Sequence, residues 1–208
     1  KNNFVTFENE NGKGKRIMFI GNSITRHGVL PSIGWNNDFG MAASAKEKDY
    51  VHLLISKFNK DYDDAAYCIC QVAEWERQYK QGESVFDAYE TARDFNADIL
   101  IFRAVENCPR EDFEPGTFKD QLEKLITYLN PSGKAKVVMT TSFWKHVATP
   151  TLLEFAQERN IPIAILEDLG EDDHMKAIGL FEHSGVANHP GDKGMESIAE
   201  RIYELFDV

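Results

Sequence analysis

Five short apolar runs punctuate the chain: Arg16–Ile20, Ala65–Cys70, Asp98–Phe102, Lys136–Thr140 and Ile161–Leu166. A longer stretch with helical periodicity follows each of them, which is the rhythm of βαβ units. The runs are continuous rather than alternating, as befits parallel strands that are covered on both faces and have no solvated side. This order predicts an α/β fold, a three-layer α/β/α sandwich around a five-stranded parallel sheet, flavodoxin-like in its succession of elements. Such sheets hold ligands at the carboxyl ends of their strands, so chemistry is expected just after each run.

The intervening helices can be placed from their apolar faces. Lys46–Asn59 carries Val51, Leu54, Ile55 and Phe58 at helical spacing, and Phe118–Leu129 carries Leu122, Leu125, Ile126 and Leu129. Asn130, Pro131 and Gly133 end the second helix, while Thr149 before Pro150 predicts an N-cap with proline in the first turn. Further helices are expected near Ser84–Asp94, Thr151–Arg159 and Lys193–Leu205. No internal repeat, low-complexity segment or linker interrupts the pattern, so residues 1–208 are expected to form one domain.

A formal net charge of -11 argues against a nucleic-acid partner, because neutralising phosphates rewards clustered Lys and Arg. Lys13, Lys15 and Arg16 are the densest basic cluster and read as a solvated strand entry. No stretch approaches the ~18 consecutive apolar residues of a bilayer span. Cys68, Cys70 and Cys108 make an odd count and read as buried thiols. The acidic run Glu171-Asp172-Asp173-His174 lacks a calcium-type ligand spacing and reads as solvated surface, so no metal or cofactor is implied. A chain starting at Lys1 fits a processed secreted protein or one trimmed at its start, and a secreted or periplasmic location is favoured over a cytoplasmic one.

The first run ends Phe19-Ile20-Gly21-Asn22-Ser23-Ile24-Thr25, putting a hydroxyl just past a buried strand, where a glycine lets the backbone turn. Serine is a poor nucleophile at neutral pH and needs a base of pKa near 6.5, which imidazole provides. Asn188-His189-Pro190-Gly191-Asp192-Lys193-Gly194-Met195 places one in a loop before the last helix; His27, His52, His146, His174 and His183 have no comparable setting. After the third run comes Arg103-Ala104-Val105-Glu106-Asn107, where Asn107 offers an amide donor at the same sheet edge.

Taken together, Gly21-Asn22-Ser23-Ile24-Thr25, Glu106-Asn107, and His189-Pro190 with Asp192-Lys193-Gly194-Met195 resemble blocks I, III and V of the SGNH (GDSL) hydrolases, in family order and across nearly the whole chain. The resemblance implies the SGNH hydrolase fold, with Ser23 as nucleophile, His189 as base and Asn107 as oxyanion donor beside the Ser23 N–H. It departs from the family in two places. Val186 stands where the family has its acid, leaving His189 to be oriented by a backbone carbonyl, by Glu182, Asp168 or Asp173, or to act in a Ser-His dyad. The block II glycine is not evident, and Ala73 is its nearest equivalent.

Arg103 and Glu106 read as a buried pair bracing the Asn107 loop. Trp35, Trp75 and Trp144 follow or lie near strand ends and are expected to offer a stacking platform for a sugar ring. The expected activity is cofactor-free hydrolysis of a small acyl ester through an acyl-enzyme on Ser23, with an acetylated carbohydrate the favoured substrate class on the basis of the resemblance and the tryptophans. The alternatives are a non-catalytic carbohydrate-binding protein on the same scaffold and a flavodoxin-like flavin or nucleotide binder. The last is weakened because Gly21–Gly28 lacks a dinucleotide or phosphate-loop pattern.

Overall fold

The computed structural model describes residues 3–207, so Lys1, Asn2 and Val208 lie outside it. Its strands are β1 Val5–Glu8, β2 Arg16–Gly21, β3 Ala66–Gln71, β4 Ile99–Arg103, β5 Lys136–Thr140 and β6 Ile163–Ala164. They form one sheet in the order β1-β3-β2-β4-β5-β6. Strands β2 to β6 are the five parallel strands that the apolar runs predict. The sixth, β1, pairs antiparallel with β3 at the edge, a strand that the sequence pattern did not show because its four residues carry a single fully buried side chain. The last parallel strand is shorter than its run. Pro162, with no N–H to give, enters the ladder only through its carbonyl, which accepts from the Met139 N–H at 2.9 Å.

Side chains alternate across the sheet and feed two cores. Ile17, Phe19, Tyr67, Ile69 and Ile101 pack on one face against α1 (Tyr50–Asp61) and α7 (Asp192–Tyr203). Met18, Ile20, Cys68, Cys70, Leu100 and Phe102 pack on the other, against α2 (Ala73–Gln78), α3 (Glu90–Phe95), α4 (Pro115–Leu129) and α5 (Thr149–Glu158). A short α6, Ser184–Ala187, precedes α7. The three cysteines are buried and free. Among the described residues no helix is long and apolar enough to cross a membrane.

Three helix boundaries differ from the sequence pattern for local reasons. The Lys46–Asn59 region splits into a 3-10 turn, Lys46–Lys48, and α1, because Asp49 caps α1 by accepting the His52 N–H. The Ser84–Asp94 region is a run of 3-10 turns, Tyr79–Tyr89, broken at Gly82 with φ of 77°, before α3 begins. Thr149 is the first residue of α5 rather than its cap, since Ala148 takes the cap position and the Thr149 hydroxyl donates to Glu167.

Edge strand β1 is fastened to α1 by an ionic bridge. His52 Nε2 lies 2.5 Å from Glu8 Oε2, and its Nδ1 lies 2.7 Å from Asp49 Oδ1. Burial alone would lower the imidazole pKa, but the hydrogen bonds and charges of Asp49 and Glu8 outweigh it and raise it to about 9. A folded pKa above the unfolded value near 6.5 means the bridge contributes its full stability below pH 6.5 and loses it as pH rises through about 9. We expect the unfolding free energy from urea titration to fall over that interval by an amount on the order of 2 kcal/mol. The difference should vanish in His52→Gln; equal pH dependence of the two proteins would refute the bridge.

Candidate active site

Parallel strands bring their carboxyl ends to one edge, and four of the turns that leave this edge build the site. Gly21 closes β2 where a Cβ would lie 1.9 Å from Thr25 Oγ1 and 2.7 Å from the Arg103 carbonyl oxygen, so only glycine fits. The Asn22 carbonyl then accepts the N–H groups of Thr25 and Arg26, each at 2.9 Å. This tight turn leaves Ser23 half-buried and facing a cavity of about 300 Å3.

His189 reaches that cavity from the segment after α6. Its Nε2 lies 2.8 Å from Ser23 Oγ, across 166 residues of sequence, and its Nδ1 lies 2.6 Å from the Gly185 carbonyl oxygen. A carbonyl only accepts, so Nδ1 carries the hydrogen and Nε2 is left to accept from the Ser23 hydroxyl. Burial pushes the imidazole pKa down to about 4, and the Gly185 carbonyl opposes this without reversing it. The ring therefore stays neutral, with Nε2 free to accept a proton, through the neutral range. The Trp144 ring meets it edge-on at 5.2 Å between centroids, while Trp144 Nε1 donates to the Asn188 carbonyl at 3.2 Å.

None of the carboxylates considered for Val186's place touches His189. Asp168 is paired with Arg201 at 2.6 and 2.8 Å, Asp173 faces Lys176 at 3.4 Å, and Glu182 is exposed. Val186 itself is buried beside Trp35 and Ala177. The group that orients the imidazole is a backbone carbonyl.

Asn107 and Ala73 line the same cavity as Ser23 and His189. Asn107 is held by Glu76, whose Oε1 accepts from Asn107 Nδ2 at 3.0 Å and whose Oε2 accepts from Asn107 N at 3.2 Å, Val105 N at 2.7 Å and Asn22 Nδ2 at 3.0 Å. Val105 has a φ of 91°, a strained value for a β-branched residue, and the bond to Glu76 helps hold it there. Beside it, fully buried Arg103 donates to both oxygens of Glu106 at 2.6 Å, and Glu106 also accepts from Asn22 Nδ2 at 2.7 Å and Phe143 N at 2.8 Å. Burial and the neighbouring Glu106 raise the Glu76 pKa, whereas Arg103 overcomes burial to lower that of Glu106. Arg103 and Glu106 thus brace the loop from beneath rather than face the cavity.

Trp35 and Trp75 do not form the sugar platform expected of them. Trp35 and Trp75 are fully buried, Trp35 donating to the His27 carbonyl at 3.0 Å and Trp75 packed between Phe102 and Phe118, so neither offers a face to a ligand. Trp144 is half-buried against His189 and buttresses the base. Conversely, Glu76 and Gln71, to which the sequence pattern gives no role, belong to the site or its support, as do Asn22 from the serine motif and the two histidines His27 and His183. Glu76 was hidden among Glu74 and Arg77, a charge pattern that resembles a solvated helix face.

With this geometry in place, the chain can be set beside known proteins. No family model and no curated protein sequence matches it. Among solved structures, a two-domain esterase (CEX) active on acetylated mannans, crystallised with mannopentaose, aligns with a TM-score of 0.60 at 17% identity, over 95% of this chain and 50% of the other. The present chain thus spans half the length of that protein. Esterase EstA from Pseudoalteromonas sp. aligns at 0.57 and 12% identity over 91% and 95% of the two chains. A lipolytic protein of the G-D-S-L family from Veillonella parvula aligns at 0.54 and 15% over 92% and 98%. The chain has the SGNH hydrolase fold. At such identities the fold is what is shared, so the roles of Ser23, His189 and Asn107 rest on the geometry of this chain.

Within this SGNH fold, Glu76 is a support of the site that accepts four hydrogen bonds. Glu76→Ala would strand the buried N–H groups of Val105 and Asn107, and we expect unfolding free energy to drop by about 3 kcal/mol. An unchanged urea midpoint would show that these bonds contribute nothing.

Proposed function

We propose that the protein is a serine esterase that removes small acyl groups, acetyl foremost, from carbohydrate esters. The observation carrying this reading is the 2.8 Å contact between Ser23 Oγ and an imidazole nitrogen whose free lone pair is fixed by the Gly185 bond on the far side of the ring.

In this mechanism Ser23 Oγ attacks the ester carbonyl carbon as its proton passes to His189 Nε2. The carbonyl oxygen becomes an oxyanion beside the Ser23 N–H, which has no acceptor among the described residues, and the Asn107 Nδ2 hydrogen that Glu76 does not use. The C–O bond to the alcohol then breaks, and the imidazolium returns its proton to the departing oxygen. Water, deprotonated by His189, attacks the acyl-serine; the carboxylic acid leaves and Ser23 regains its proton. A carbonyl dipole stabilises the imidazolium less than a full carboxylate charge does, so a Ser-His dyad is slowed but not disabled.

Two observations support the substrate class. A cavity of about 300 Å3 sits at the lower end for ligand pockets and favours a short acyl group. A protein of the same fold is active on acetylated mannans. The rival reading, carbohydrate binding without catalysis, rests on Val186 in place of the usual acid; the Gly185 carbonyl on His189 Nδ1 supports catalysis over it, while burial of Trp35 and Trp75 leaves neither reading a tryptophan platform from those two residues.

Purified protein should hydrolyse p-nitrophenyl acetate and release acetate from acetylated manno-oligosaccharides, and Ser23→Ala should lower kcat by at least about a thousandfold with an unchanged circular dichroism spectrum. Full activity in Ser23→Ala refutes the mechanism. The active imidazole is the unprotonated one and its pKa lies at about 4, so kcat/KM should hold steady below pH 6.5 and fall only as pH drops towards that value. An acid limb centred near 6.5 would contradict the environment described for His189.

A further inference from the structure

Gln71 closes β3 in register with Gly21 on β2, two residues before Ser23. It is half-buried and lines the cavity that holds Ser23, Ala73, Asn107 and His189. Its Oε1 accepts the Ala73 N–H at 3.0 Å, and its Nε2 reaches the Arg26 carbonyl, in the turn after Ser23, at 3.4 Å. The carboxamide therefore spans from the nucleophile's turn to the start of α2.

Three of the N–H donors that border the cavity differ in what they hold. The Ser23 N–H has no acceptor among the described residues, and Asn107 Nδ2 spends one hydrogen on Glu76 and keeps another. The Ala73 N–H is taken, and its acceptor is a side chain rather than a backbone rung. An N–H that already donates cannot stabilise a developing negative charge unless its acceptor leaves.

We infer that Gln71 is a displaceable placeholder for the oxyanion: its carboxamide oxygen holds the Ala73 N–H in the resting protein and yields it when a tetrahedral oxyanion forms beside Ser23. The inference rests on the esterase reading above and deepens it. The exchange runs downhill, because a charged acceptor bonds roughly twice as strongly as a neutral amide oxygen. Little holds the far end of the side chain, since 3.4 Å to the Arg26 carbonyl lies beyond the usual 2.7–3.2 Å of a good N–H···O bond. In the absence of substrate the arrangement keeps a donor of a nearly buried residue satisfied. Its cost is competition with the transition state for the same hydrogen.

A plain helix-capping role for Gln71 predicts the opposite behaviour on mutation, which makes the two separable. Removing the competitor in Gln71→Ala should raise kcat/KM for p-nitrophenyl acetate by about two- to tenfold, the worth of one neutral hydrogen bond, and should speed fluorophosphonate labelling of Ser23 by a similar factor. The near-isosteric Gln71→Glu keeps the side chain's size but sets a carboxylate on the donor. Its kcat/KM at pH 7 should fall at least about tenfold below wild type, and the ratio of the two should recover as the pH is lowered towards the carboxyl range near 4.3. Unchanged or lowered kcat/KM in Gln71→Ala with an unaltered urea midpoint, or a Gln71→Glu variant whose activity relative to wild type is flat with pH, overturns the inference. A wild-type protein that neither labels nor turns over acetyl esters would instead sink the esterase reading, and this inference with it; an active wild type with a slower Gln71→Ala sinks only the inference.

Discussion

The carboxyl edge of the sheet is held together by a buried ionic cluster. Arg103 at the end of β4 is fully buried and grips Glu106 with both terminal nitrogens, and Asn22, next to the serine, donates to Glu106 and to Glu76 while accepting from Arg103. Two buried carboxylates against one guanidinium are tolerable only because nearly every oxygen lone pair is met by an N–H, three of them from backbone. The cluster ties together three loops that the chain presents far apart: the turn after β2, the start of α2 and the strained loop after β4. Pairing of β2 with β4 brings the two loops side by side, and the cluster fixes the Ser23 turn against the Asn107 amide within that frame.

The base is held differently. His189 has no charged partner; a single carbonyl at the beginning of α6 fixes its tautomer, and Trp144 limits its tilt. Orientation and charge stabilisation are separable tasks, and this site retains the first while giving up most of the second. The low pKa of the ring follows: burial disfavours the imidazolium, and no adjacent carboxylate restores it. Such a base is available over a broad pH range, though it is intrinsically weak. Preorganised N–H donors then have to do more of the work at the transition state, which gives the occupancy of each donor its importance.

Several readings from the sequence failed for one reason: residue type and position do not reveal depth. Tryptophan suits a sugar face or a core equally well, and the packing of Trp35 against Phe39 and Phe181, and of Trp75 against Phe118, decided for the core. Glu76 shows the converse, a charged residue in a short helix that turns inward because donors from two other segments, the turn after β2 and the loop after β4, await it. Edge strand β1 left little trace because it is half-covered and is fixed by a bridge from Glu8 to His52, 44 residues away.

The sequence by itself determined the α/β succession, the strands that form the centre of the sheet, and the three segments bearing serine, asparagine and histidine. Those features rest on local periodicity and side-chain chemistry, which the order of residues records directly. Only the tertiary structure decided what orients the imidazole, which donors are engaged, and which aromatic rings are exposed. A backbone carbonyl is present at every residue and leaves no mark in the sequence. Whether the one at Gly185 lies 2.6 Å from His189, and whether Ser23 Oγ lies 2.8 Å from the other side of that ring, depends on contacts that exist only after the chain has closed on itself.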